Sequence, residues 1–196
     1  MRKNTVFVLY PGSVKPLHYG HIQLVRRYAE HPDVKEVKVL IGPGIRNGIN
    51  QQTSLDIAQE LLAEFDNVTI EAIQYPSPIL ACYKYIETAE PGIYAMAGVR
   101  KGDNYKRVLD FVKEHNTGGK YENKKPKDVD VIELLINTEP IVYHNRTDDK
   151  EEQPISASIL RKDVLNNDFE NFKTNYPFIK QNKIIKIWNI LQPLIK

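Results

Sequence analysis

Short apolar runs alternate with amphipathic stretches along most of this chain. Residues 5–10 (TVFVLY) are β-branched and aromatic and stop at Pro11-Gly12, which predicts a buried strand ended by turn residues. Ile22, Leu24, Val25, Tyr28 and Ala29 then recur at helical spacing, with Pro32 just beyond, so residues 19–30 are expected to be a helix. The alternation continues with a strand over 34–41, closed by Gly42-Pro43-Gly44, and a helix over 54–65. A strand over 68–73, a helix over 79–88, a strand over 92–97 and a helix over 104–115 complete it. This order predicts an α/β fold: a Rossmann-like, doubly wound parallel sheet in three α/β/α layers.

Residues 115–128 (HNTGGKYENKKPKD) break the pattern, and their polarity predicts a mobile, solvated loop that could act as a lid. A strand over 129–136, a short one over 140–143 and an acidic turn over 147–153 are expected next. Helices over 156–165 and 176–194 follow. The whole of 1–196 is expected to be one domain, with 166–196 as a carboxyl-terminal helical extension.

Composition narrows the function mainly by exclusion. The 27 basic and 25 acidic side chains leave a net charge of +2, too balanced to predict a nucleic-acid partner. One cysteine, Cys82, excludes an internal disulfide and a cysteine-rich zinc site, and reads as a small core residue suited to a reducing cytoplasm. The apolar stretch at 5–10 is too short for a signal-peptide core or a membrane span. Self-association is left open.

In a doubly wound sheet the ligand site lies at the carboxyl ends of the strands, where the loop after strand one meets helix one. That loop reads Pro11-Gly12-Ser13-Val14-Lys15-Pro16-Leu17-His18-Tyr19-Gly20-His21. Gly12 permits close approach of a phosphate, and the helix amino terminus offers unpaired N–H groups to an anion. His18 and His21 are three apart, so both imidazoles can point the same way, with Gly20 between them leaving access open.

The stretch from Gly12 to His21 resembles the G-[TS]-F-x-P-x-H-x-G-H signature of the nucleotidylyltransferases that carry an HxGH motif. Ile155-Ser156-Ala157-Ser158-Ile159-Leu160-Arg161 is similar to that superfamily's late I-S-[ST]-[ST]-x-[ILV]-[RK] element, and Ala97-Gly98-Val99-Arg100-Lys101-Gly102-Asp103 loosely to its glycine and aspartate segment. Val14 stands in place of the usual Phe, Lys15 in place of Asp or Gln, and Ala157 in place of Ser or Thr.

The resemblance implies transfer of a nucleoside monophosphate from ATP or CTP to a phosphorylated small molecule, with Mg²⁺ held mainly by the nucleotide. His18, His21, Lys15 and Arg161 would be the catalytic residues. Pro11, Gly12, Ser13, Gly20, Gly98, Arg100, Asp103, Ile155, Ser156 and Ser158 would bind the nucleotide. Lys15 would face the reacting centre and contact the acceptor phosphate or the α-phosphate. Arg161, and Gln153-Pro154 before Ile155, favour ATP over CTP. Among acceptors the resemblance is nearest the nicotinamide mononucleotide adenylyltransferases, a step of NAD synthesis. Phosphopantetheine adenylyltransferases and cytidylyltransferases are the alternatives.

Each of these residues has an ordinary reading too. His18 and His21 could hold zinc only with a third ligand, and none stands at ligand spacing nearby. Ser156 can simply cap a helix. Arg100, Lys101, Asp103 and Arg107 read as a solvated face, and Trp188 with its isoleucines as a packing stripe. A different class of function is a catalytically silent nucleotide- or RNA-binding module with the basic loop and the tail helices as its interface.

Overall fold

The computed structural model describes residues 5–100, 105–136, 142–143 and 153–194. Five parallel strands form the central sheet: β1 (Val6–Gly12), β2 (Val34–Ile41), β3 (Val68–Ala72), β4 (Gly92–Met96) and β5 (Val129–Val131). Their spatial order is β3-β2-β1-β4-β5. The chain runs outward from β1 to β3, crosses back, and resumes at β4 on the other side of β1. That reversal places the switch point of the sheet between β1 and β4, and it is the carboxyl ends of the strands at which doubly wound sheets bind ligands.

Strand side chains alternate between two apolar layers. Val8, Tyr10, Val39, Ile41, Ala95 and Ala97 face a core shared with α1 (Tyr19–Ala29), α2 (Gln51–Leu62) and α7 (Gln181–Leu191). Leu9, Leu40, Tyr94 and Met96 face a second core under α3 (Pro78–Glu87) and α4 (Tyr105–His115). The period of two buries both faces, so the strands need near-continuous apolar sequence. The three-layer α/β/α architecture expected from the sequence is the one observed.

Several boundaries differ from expectation for identifiable reasons. Helix α2 begins at Gln51 because Asn50 caps it, its side chain accepting from the Thr53 N–H at 2.9 Å. Strand β5 ends at Val131, not at 136; beyond it Ile136 bridges Val99, outside the named strands. Gln153–Pro154 is a short strand (β7) and not the end of a turn, paired antiparallel with β6 (Val142–Tyr143). Helix α5 (Ala157–Leu165) is followed by an unexpected six-residue helix, α6 (Phe169–Thr174), capped by Asp168. The last helix starts at Gln181, five residues later than expected, because the segment before it is occupied in anchoring the site.

The lid reading of residues 115–128 is corrected. Within them Glu122–Lys124 forms a 3₁₀ turn, and Tyr121 packs its ring 4.9 Å from Tyr83 and 5.4 Å from His115. The Asp128 carbonyl accepts from the Gly92 N–H at 3.0 Å. This segment enters the amino-terminal end of β5, at the edge of the sheet opposite the ligand crevice. Cys82 is fully buried in the second core, and Trp188 packs between Phe169 and Phe172, both as expected.

Candidate active site

Beyond the carboxyl ends of β1 and β2 lies an open cavity of about 480 Å³ lined by Ser13, Val14, Lys15, His18, His21, Gly44, Ile45, Arg46, Ala157 and Arg161. Three segments distant in sequence build it: the loop from β1 to α1, the loop after β2, and the start of α5. Gly12 makes the first bend feasible, since a Cβ there would lie 2.9 Å from Val14 Cγ1. Val14 itself has φ +24, an uncommon conformation for a β-branched residue.

The two imidazoles are in contact, with ring centroids 3.7 Å apart and planes tilted 38°. His18 is the residue before α1, and its N–H donates to His21 Nδ1 at 3.2 Å. His21 Nδ1 therefore carries a lone pair, and the ring's proton sits on Nε2. Burial pushes His18 down to about 4; burial, and then the neighbouring His18, hold His21 well below the ordinary imidazole value. At neutral pH both rings are uncharged, so His21 offers a neutral N–H donor. A Cβ on Gly20 would stand 3.1 Å from His18 Cε1, which explains the glycine between them. His18 Nδ1 is buried without a partner.

The positive charge comes from other residues. Lys15 is buried, its Nζ 3.5 Å from the Gly42 carbonyl, and loss of solvent lowers its pKa. Arg161 donates from Nη1 to the Lys15 carbonyl at 2.5 Å and from Nη2 to Ser158 Oγ at 3.1 Å. Burial and then the charge of Arg46 lower its pKa, an electrostatic sign that the two guanidiniums share one space. A wall that gathers Lys15, Arg46 and Arg161 and contains no carboxylate is matched to a polyanion.

Of the residues singled out in the sequence, Ser13, Lys15, His18, His21 and Arg161 line this cavity. Pro11 borders a separate narrow slot with Tyr10, Met96 and Arg107. Gly12 and Gly20 shape the loop from behind. Ser156 caps α5 by accepting from the Ile159 N–H at 3.3 Å, Ser158 holds Arg161, and Ile155 packs against the core. Gly98 lies under Tyr28, whose hydroxyl accepts from its N–H at 3.0 Å, and a Cβ there would be 2.5 Å from Val108 Cγ2. Arg100 is exposed and donates its backbone N–H to Ile136; neither Gly98 nor Arg100 lines the cavity. Asp103 lies outside the described residues.

Gly44, Ile45 and Arg46 were not anticipated. Arg46 and Ile49 exchange both backbone hydrogen bonds at 3.0 Å across Asn47 and Gly48, whose φ values of +48 and +76 mark a type I′ hairpin. The Asn-Gly pair after a strand was the available signal. The turn fixes the Arg46 backbone beyond the carboxyl end of β2, and the exposed side chain reaches the cavity from there.

The donor set does not fit a magnesium ion held by the protein, since the lining supplies cations, imidazoles and a hydroxyl. Among the described residues no group of three His, Cys, Asp or Glu is arranged to hold a metal, and no helix is long and apolar enough to cross a membrane.

No family model matches the chain. It is similar to the phosphopantetheine adenylyltransferase of Thermobifida fusca, 36% identical over 63 residues, covering 32% of this chain and 38% of that protein. The enzyme of the same name from Caldanaerobacter subterraneus is 33% identical over 63 residues (32% and 39%), and that of Gloeobacter violaceus 36% over 67 (34% and 42%). The chain thus spans about two fifths of the length of these relatives. In fold it is similar to Plasmodium falciparum nicotinic acid mononucleotide adenylyltransferase complexed with APC, with a TM-score of 0.52 and 14% identity over 95% of this chain and 98% of that one. The sequence similarity thus extends over about a third of the chain, and the structural similarity shows a shared fold.

Proposed function

We propose that this chain is an adenylyltransferase, moving AMP from ATP onto the phosphate of a small-molecule acceptor and releasing pyrophosphate. The observation that carries the reading is the convergence of Lys15, Arg46, Arg161 and the two neutral imidazoles on one carboxylate-free cavity at the carboxyl ends of β1 and β2. The relatives' names support the reaction class.

In this reaction an acceptor phosphate oxygen attacks the α-phosphorus of ATP, a P–O bond forms, and the bond to the β,γ-pyrophosphate breaks with its electron pair on the leaving oxygen. Negative charge grows on the leaving group, so fixed donors there stabilise the transition state more than the ground state. His21 Nε2–H supplies such a donor, with His18 beside it. Arg161 and Arg46 neutralise the phosphates, and Lys15, deeper in the wall, contacts the α-phosphate or the incoming acceptor phosphate. Neither imidazole needs to change protonation, because no proton moves in the bond exchange. Mg²⁺ would be held mainly by the nucleotide and would offset part of its charge.

Nicotinamide mononucleotide, or its nicotinic acid form, is the acceptor favoured by the sequence resemblance and by the structural neighbour's name. Phosphopantetheine is the second reading, favoured by the sequence relatives. We assign the protein to the cytoplasm, in keeping with its one buried free cysteine.

The test is Mg²⁺-dependent pyrophosphate release from ATP, and separately CTP, with nicotinamide mononucleotide, nicotinic acid mononucleotide, phosphopantetheine and glycerol 3-phosphate. Release with ATP and one acceptor, abolished in a His21→Ala variant that still folds, is the expected result. ATP binding without release for any acceptor would favour the silent nucleotide-binding module instead.

A further inference from the structure

The loop that carries His18 is held from outside by the carboxyl-terminal third of the chain. Arg161 of α5 takes the Lys15 carbonyl. The Tyr176 hydroxyl, fully buried, donates to the Leu17 carbonyl at 2.6 Å across 159 residues of sequence. Leu17 immediately precedes His18, and its carbonyl belongs to the same peptide unit as the His18 N–H that donates to His21 Nδ1. Fixing one side of that planar unit fixes the other.

Tyr176 is itself braced. Asn175 donates from Nδ2 to the buried Asp163 carboxylate at 2.9 Å and to the carbonyls of Asn171 and Phe172 at 3.0 and 3.3 Å. Its ring lies 5.4 Å from that of Phe172, and two residues on, Phe178 approaches the ring of Tyr19 at 6.0 Å. The segment 175–178 thus clasps Leu17 and brings the exposed Phe178 ring beside Tyr19, the two neighbours of His18. Asp163 and Arg161 stand two apart on α5, so one helix both braces the clasp and lines the cavity.

Resting on the adenylyl-transfer reading, we propose that Tyr176 is a positioning residue for the reaction: its hydroxyl orients the Leu17–His18 peptide and so sets both imidazoles against the leaving group. It does not touch the nucleotide. Its removal therefore acts on turnover and leaves ground-state affinity alone.

The experiment compares wild type, Tyr176→Phe, His18→Ala, the double variant, and Tyr94→Phe. The last deletes a hydroxyl bonded to the Glu90 carbonyl at the far end of the sheet and controls for stability loss alone. Tyr176→Phe is expected to lower kcat about 10- to 100-fold with KM for ATP within about twofold, to have little further effect on top of His18→Ala, and to exceed any change in Tyr94→Phe. A titration of His18 by NMR is read in parallel and needs no turnover. In wild type it stays near 4, and in Tyr176→Phe it moves toward 6.5 as the ring loosens into solvent. Unchanged kcat together with an unmoved titration would overturn the positioning role while wild-type pyrophosphate release still stands. Absence of release in wild type would overturn the reaction instead, leaving the titration to decide the role of Tyr176.

Discussion

Acidification should unfold this protein partly through its histidine pair, and His18 lets the effect be sized. In the unfolded chain an imidazole titrates near 6.5, whereas folding lowers His18 to about 4. A base whose folded pKa is depressed binds fewer protons folded than unfolded, so stability falls as pH drops below 6.5 and levels off below 4. Linkage across that window gives a loss of about 2 kcal/mol at pH 5 and about 3 kcal/mol at pH 4 from His18 alone. Replacing His18 by Gln removes the titrating group. Urea unfolding of both proteins at pH 7, 6, 5 and 4.5 reads the difference, because carboxylate contributions are common to the two. The stability of His18→Gln relative to wild type should rise by about 2 kcal/mol between pH 7 and pH 5. Parallel pH profiles would refute the buried, neutral His18 imidazole.

Three other perturbations follow from the geometry. Arg161→Lys keeps the charge but cannot span the Lys15 carbonyl and Ser158 Oγ together, so kcat/KM in the pyrophosphate-release assay should fall about 10- to 100-fold. Tyr28→Phe leaves the Gly98 N–H and the carbonyls of Gly98 and Leu134 without the hydroxyl, and denaturant unfolding should show a loss of about 1–3 kcal/mol. Gly98→Ala drives a Cβ against Val108 Cγ2 and should cost about 1–3 kcal/mol in thermal unfolding, with partial recovery in the Gly98→Ala/Val108→Ala double variant. Additive losses in that pair would exclude the steric explanation.

The sheet and its helices were legible because both strand faces are buried and each helix carries a single apolar stripe, which leaves periods of two and 3.6 in the sequence. The histidine loop was legible for a local reason: Gly12, Gly20, His18 and His21 make their geometry within ten residues. Arg46 was not, since its place in the cavity depends on β2 lying beside β1, a fact of strand order. Tyr176 was hidden more deeply. Its hydrophobic neighbours read as the start of a helix, and only the folded chain shows its hydroxyl spent on Leu17. Gly98 was expected to bind the nucleotide, and close packing against Val108 supplies a separate reason for a glycine there.

The clasp on Leu17 also has a consequence for how this protein is made. A ribosome delivers β1 and the histidine loop before the lining from Arg46, and Ala157, Arg161 and Tyr176 emerge more than 100 residues after that. A nascent chain can thus display His18 and His21 long before anything sets their orientation. A chain stopped before Ala157 would therefore carry the histidine loop without the guanidinium and the hydroxyl that hold it from outside.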